Sequence, residues 1–400
     1  MKPRKILERI LSSTKNFPFD LARLVEACGF RHSGLRGSGP VSAPKGVVEQ
    51  GNRRDVHGAA KSYLVLALLA LAAVLVLGLC WWWRQAHSGA LVVYCAHDAI
   101  YAEKILRDFE KRSGIPLAIR FDTEATKSLG LAELLIREKA APRCDVFWDN
   151  ELLGMLDLQE RGLLQPYQGP GYARIPAPFK APDGSWAGFA ARLRVVIYNT
   201  AKIGTTPPNL VALLPGSDLT RIAVAKPLYG TTLTHYTLLW RLWGAEKVKS
   251  WHSDWRVGGV KELNGNAAVK DAVADGVCYA GFTDTDDFFE AKDDHFPVAM
   301  IPVRLDDGKT ICIPNTVAIL RGARHSRSAR KLVDFLLSEE TELALANSTS
   351  RQIPLGPVST EKLSAEVRAL AHAASEGEDL TSLGGARADC LAWLKSIYAP

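Results

Sequence analysis

Four hundred residues at 47% hydrophobic composition suffice for one large two-lobed domain with additions, and exclude a disordered chain. The formal charge of +6 sits entirely in residues 1–60, which hold eleven Lys and Arg against five Asp and Glu, so the neutral remainder offers no basic face for nucleic acid. Seven cysteines, at 28, 80, 95, 144, 278, 312 and 390, show neither C-x-x-C spacing nor a histidine cluster, which argues against zinc and redox chemistry.

The chain opens with two predicted amphipathic helices. Ile6, Leu7, Ile10 and Leu11 form one apolar face; Leu21, Leu24 and Val25 form another that stops near Gly29. Met1-Lys2-Pro3-Arg4, Ser12-Ser13-Thr14-Lys15-Asn16, Leu24-Val25-Glu26-Ala27, Gly29-Phe30-Arg31, Asp55-Val56-His57-Gly58 and Ala60-Lys61-Ser62-Tyr63 resemble HicA-type toxins, mRNA-cleaving proteins with a fold like a double-stranded-RNA-binding domain. Where that family carries its catalytic histidine after a Gly-Ser pair, this chain reads Gly37-Ser38-Gly39-Pro40. A degenerate α+β-like remnant over residues 1–60 is expected, without RNA cleavage.

Leu64 to Trp83 is an uncharged run without proline, bounded by Lys61 and Arg84. At about 1.5 Å per residue it spans a bilayer core of roughly 30 Å, and a transmembrane helix is expected. Lys45, Arg53, Arg54 and Lys61 precede it and only Arg84 follows closely, so the N-terminus is expected in the cytoplasm and residues 85–400 outside. Trp81, Trp82 and Trp83 suit the outer interface. Leu79 before Cys80 disfavours lipidation, and Gln85 to Ala90 lacks a clean Ala-x-Ala site, so an uncleaved anchor is expected.

Beyond the anchor, strands and helices alternate. Strands are predicted at Leu91–Ala96, Leu117–Asp122 and Cys144–Trp148, with helices at Ile100–Lys111, Leu129–Glu138 and on to Glu160. This spacing implies right-handed βαβ units and a parallel sheet. Phe189–Asn199 reads as a long strand leaving the first lobe, and Val277–Thr285 as the strand returning to it. Between them lie a strand at Ile222–Pro227 and helices at Tyr229–Trp243 and Asn264–Asp275. Two helices follow over Ser326–Asn347, and a tail from Ser350 is expected to wrap the first lobe. Five tryptophans between Trp186 and Trp255 read as core rather than a sugar platform.

In parallel α/β sheets ligands gather beyond the carboxyl ends of strands. Those ends here supply His97, Asp98, Thr123, Glu124, Asp149 and Asn150. Asp98, Thr126 and Asn150 also suit simple helix caps. From the second lobe come Arg194, Tyr229, Thr283, Asp284, Asp286 and Asp287, with Thr231 and Thr232 at a helix start that favours an anion. Carboxylates outnumber the single arginine, which favours a cationic ligand.

VVYCAHD, DTEATKSLGLAELL, RCDVFWDNELLGMLDLQERGLLQPY and GFAARLRVVIYNT resemble bacterial extracellular solute-binding proteins of the ferric-iron-binding group. The resemblance implies a two-lobed type II periplasmic binding fold, lobe one over about 90–190 and 285–400 and lobe two over about 200–280. It further implies a protein without cofactor that hands a ligand to an ABC permease. Iron(III) is the implied cargo, with His97 and Glu124 as ligands. The group's two adjacent tyrosines are missing, since the place reads Thr283-Asp284-Thr285-Asp286-Asp287, where Asp284 and Asp286 are the candidate substitute oxygen donors. The same cleft suits an organic cation such as a polyamine or thiamine. It also suits an amino-phosphonate held by Thr231, Thr232 and Arg194. An enzyme or a sensor domain is less favoured: no nucleophile elbow, H-E-x-x-H or phosphate-binding glycine loop occurs.

Overall fold

The computed structural model describes residues 72–78, 89–122, 129–203 and 219–398, in two compact units divided between Trp82 and Trp83. Of the first unit, residues 72–78 are described; they are helical and exposed. Among the described residues no helix is long and apolar enough to cross a membrane. The rest of the expected span and the HicA-like stretch lie outside the described residues.

In the second unit one sheet runs through both lobes, its strands ordered Leu117–Phe121 (β2), Leu91–Cys95 (β1), Val146–Asp149 (β3), Cys312–Leu320 (β10), Ala187–Asn199 (β5), Ala280–Asp284 (β8), Ile222–Ala225 (β6) and Lys261–Leu263 (β7). β1 (Leu91–Cys95), β2 (Leu117–Phe121) and β3 (Val146–Asp149) are parallel, alternating with α1 (Ala99–Ser113), α2 (Leu129–Arg137) and α3 (Leu153–Glu160). Helix α1 forms because Ala102, Ile105, Leu106 and Phe109 recur at helical spacing and are buried together. It stops at Gly114, whose φ of 68° is left-handed. The short β4 (Leu164–Gln165) pairs with β10 (Cys312–Leu320).

Strand β5 (Ala187–Asn199) belongs to both lobes. Its first half pairs with β10, and its second half with β8 (Ala280–Asp284) and β9 (Val298–Pro302). All thirteen residues are buried, so the strand shows no polar alternation and its two arginines must find partners inside. Ala190, with φ 42°, sits where the pairing with β10 shifts register beside Pro314 and Asn315.

The second lobe holds β6 (Ile222–Ala225), α4 (Gly230–Trp243), α5 (Ala245–Val257), β7 (Lys261–Leu263), α6 (Asn266–Ala274), β8, α7 (Thr285–Asp293) and β9. This corrects the expected return crossing at Val277–Thr285. Strand β8 lies between β5 and β6, and the chain recrosses through β10. Residues 285–311 accordingly belong with lobe two, where α7 and β9 meet the second half of β5. The β10 sequence CIPNTVAIL hides a central strand behind a Pro-Asn pair that reads as a turn.

The tail is also corrected. After α8 (Ser326–Leu336) and α9 (Glu339–Ala346), α10 (Ala365–Ser375) packs Leu370, Ala373 and Ala374 with Val269 and Phe289 of lobe two. The last helix, α11 (Gly384–Tyr398), lies on α4 and α3 together. One apolar cluster therefore joins Leu152, Met155 and Leu158 of lobe one to Leu233, Tyr236 and Phe282 of lobe two. Trp186 and Trp255 are buried in it and Trp240, Trp243 and Trp251 pack against it. All five described cysteines are free and buried, as small apolar side chains.

Candidate functional site

Between the lobes lies a cavity of about 150 Å³. Lobe one contributes Asp98 after β1 and Asn150 after β3. Lobe two contributes the start of α4 (Tyr229 to Thr232), the turn into α6 (Asn264 to Ala267), and Asp284, Asp286 and Asp287 where β8 runs into α7. Arg192 of β5 and Lys226 after β6 complete the wall. The position is the one the topology favours, at carboxyl ends of parallel strands.

Asp284 is the anchor of the lobe-two wall. It accepts from Arg194 Nη1 at 2.8 Å, Thr231 Oγ1 at 2.5 Å and Asn266 Nδ2 at 2.8 Å. Arg194 is fully buried, so its charge is sustained by this pairing. Thr231 in turn accepts from Arg194 and Asn266, and Thr232 donates to Asn266 Oδ1 at 3.0 Å. The negative charge that the start of α4 favours is thus already supplied by Asp284.

Asp284, Asp286 and Asp287 each offer a carboxylate oxygen, all within 4.8 Å of one another. Asp287 accepts from Thr283 Oγ1 at 2.6 Å. Burial, reinforced by the charges of Asp286 and Asp284, pushes its carboxyl up to about 8. Arg192 lies 3.5 Å from Asp286 and 3.9 Å from Asp284, and it donates to the Asn150 carbonyl of the opposite lobe. Four carboxylates therefore face two lining cations. A multivalent cation in their midst would offset the like charge gathered there.

Asp98, Asn150, Tyr229, Thr231, Thr232, Asp284 and Asp286 of the expected residues line the cavity, together with Asp287. Arg194 and Thr283 stand behind that wall, holding Asp284 and Asp287. Thr123 and Glu124 lie outside the described residues. His97 and Asp149 do not line the cavity. The ring of His97 packs between Tyr101 and Trp148, with centroids 5.8 and 5.4 Å away. Asn315 donates to Gln352 Oε1 at 2.7 Å, which turns the Gln352 amide nitrogen toward His97 Nε2 at 3.1 Å. His97 Nε2 thus meets the Gln352 amide, away from the lining of this cavity. Asp149 is fully buried; burial first and the Glu151 charge second hold its carboxyl well above the usual range. The cap expected of Asn150 is made by Glu151, which accepts from the Leu153 and Gly154 amides at 2.6 and 2.9 Å.

Arg192, Lys226, Asn264 and Asn266 were not legible as site residues. Arg192 alone carried a usable signal: it is two positions from Arg194 and so shares its face of the strand.

The sequence pattern of a family described as bacterial extracellular solute-binding protein matches residues 91–348. The Fe(3+)-binding periplasmic protein of Serratia marcescens is 28% identical over 152 residues, 37% of this chain and 42% of that protein. Iron uptake protein A1 of a Synechocystis species is 34% identical over 74 residues, 18% of this chain and 21% of that protein. The chain thus spans less than half the length of these curated relatives. Iron-bound HitA of Pseudomonas aeruginosa superposes with a TM-score of 0.67 at 23% identity, covering 77% of this chain and 99% of that one.

Proposed function

The chain belongs to the bacterial extracellular solute-binding proteins, and on that premise we propose that it is the membrane-tethered binding component of an ABC importer, closing two lobes on iron(III). The observation that carries the reading is the set of three carboxylate oxygens within 4.8 Å at the cavity wall, faced by Asp98 from the other lobe. Hard oxygen donors suit a hard trivalent cation. The names of the curated relatives support the same cargo. The family's work is solute binding for transport, which is not catalysis.

Calorimetric titration with iron(III) citrate, putrescine, thiamine and 2-aminoethylphosphonate tests the cargo. Micromolar or tighter binding of iron alone is expected; a silent iron arm beside binding in any other arm overturns the assignment. Tethering rests on the run Leu64 to Trp83 and its flanking cations. The full chain should stay with membranes through alkaline carbonate extraction and leave them when residues 64–83 are deleted. Release of the full chain would refute the anchor while leaving the cargo reading intact.

A further inference from the structure

The C-terminal helix α11 touches both lobes through different chemistry at its two ends. At its start, Arg387 Nη1 lies 3.1 Å from Asp157 Oδ2 of α3, and the two side chains are 13% and 9% exposed. That shelter separates the pair from the α3 pair of Asp157 with Arg161, whose guanidinium is half exposed and screened by water. Gly384 packs against Glu160 so closely that a Cβ would lie 1.9 Å from Glu160 Oε1. The start of α11 is thereby held to lobe one by charge and by close approach.

The far end of α11 is held to lobe two by rings. Trp393 packs on Trp240 of α4 at 5.3 Å between centroids, and the Tyr398 hydroxyl meets His252 Nε2 at 3.1 Å and donates to Glu262. Helix α3 follows Asn150 of one cavity wall, and helix α4 begins at Gly230 of the other. Thr234 of α4 donates to Glu151 Oε2 at 3.0 Å beside that wall.

We infer that α11 is a strap across the lobes, and that Arg387 and Asp157 are positioning residues that set ligand affinity by holding α3 and α4 at the spacing the closed cavity needs. The inference rests on ligand capture between the lobes; neither residue touches the cavity.

Hydrogen–deuterium exchange of the full chain, paired with iron(III) citrate titration, tests it. Arg387→Met should speed amide exchange at residues 150–154 and 230–234 while β1 and β3 stay protected, and should raise Kd at least fivefold. Asp157→Asn should do the same, and the double variant should be no worse than either single. Arg387→Lys should restore both readouts. Unchanged exchange at those two turns overturns the strap, as does a uniform rise across the domain, which marks a merely structural residue. If the unaltered protein binds no iron, the cargo reading falls and the exchange comparison still decides on the strap.

Discussion

Arg194 illustrates how a binding wall is held by a group that does not itself line the cavity. Asp284 receives three donors, so it is more a keystone than a free carboxylate. Arg194→Met should leave Asp284 buried without its closest counter-charge, which costs about 3–5 kcal/mol when one partner of such a pair is lost. The denaturation midpoint should fall accordingly, whether or not iron is present. Asp287 behaves oppositely. Its folded carboxyl is pushed up to about 8, against an unfolded value of roughly 3.9. Between those values the folded state holds a proton that the unfolded state has released, so this group erodes stability as pH rises across the window. Asp287→Asn should therefore stabilise the iron-free protein more at pH 8 than at pH 5, as read from urea midpoints at the two pH values. An equal effect at both would mean that Asp287 is not held protonated.

At the scale of elements, the two crossing strands decide how the lobes are joined, and they differ in how openly the sequence announces them. Strand β5 was legible because thirteen residues without a turn signal have few alternatives to a buried strand. The first βαβ units were legible for a similar reason: Ile105, Leu106 and Phe109 repeat at helical spacing between β-branched runs. Strand β10 was not, because Pro314 and Asn315 imitate a turn, and Ala190, skipped in the pairing opposite them, takes a left-handed φ that no local pattern betrays. Arg192 shares its strand face with Arg194, yet nothing local announced its link to the Asn150 carbonyl of the other lobe. Gly188 marks how tightly the two strands are fitted. A Cβ there would lie 2.8 Å from the Phe179 carbonyl oxygen and 2.9 Å from Pro314 Cβ. Gly188→Ala should cost about 1–3 kcal/mol through overpacking at the crossing, measured by equilibrium unfolding. It should also shift affinity, because β5 carries Arg192 to the cavity.

For the whole molecule, affinity and stability are one quantity seen from two sides, since a ligand clasped by both lobes binds only the folded chain. At a free concentration a hundredfold above Kd, such a ligand adds about 2.7 kcal/mol to stability. Asp286 is the residue with which to separate the two effects. It faces the cavity at the first turn of α7, and Arg192 approaches it only to 3.5 Å, whereas Asp284 is bound up in the wall. Asp286→Asn should weaken iron(III) binding by tenfold or more, about 1.4 kcal/mol. At the same iron concentration the ligand-linked stabilisation should shrink by nearly that amount, while the iron-free protein stays within about 1 kcal/mol of its parent. Parallel thermal unfolding with and without iron(III) citrate reads both terms. A variant that loses stability without iron yet keeps its full iron-induced shift would place Asp286 in the scaffold, and would move the cargo toward Asp98 and Asp287.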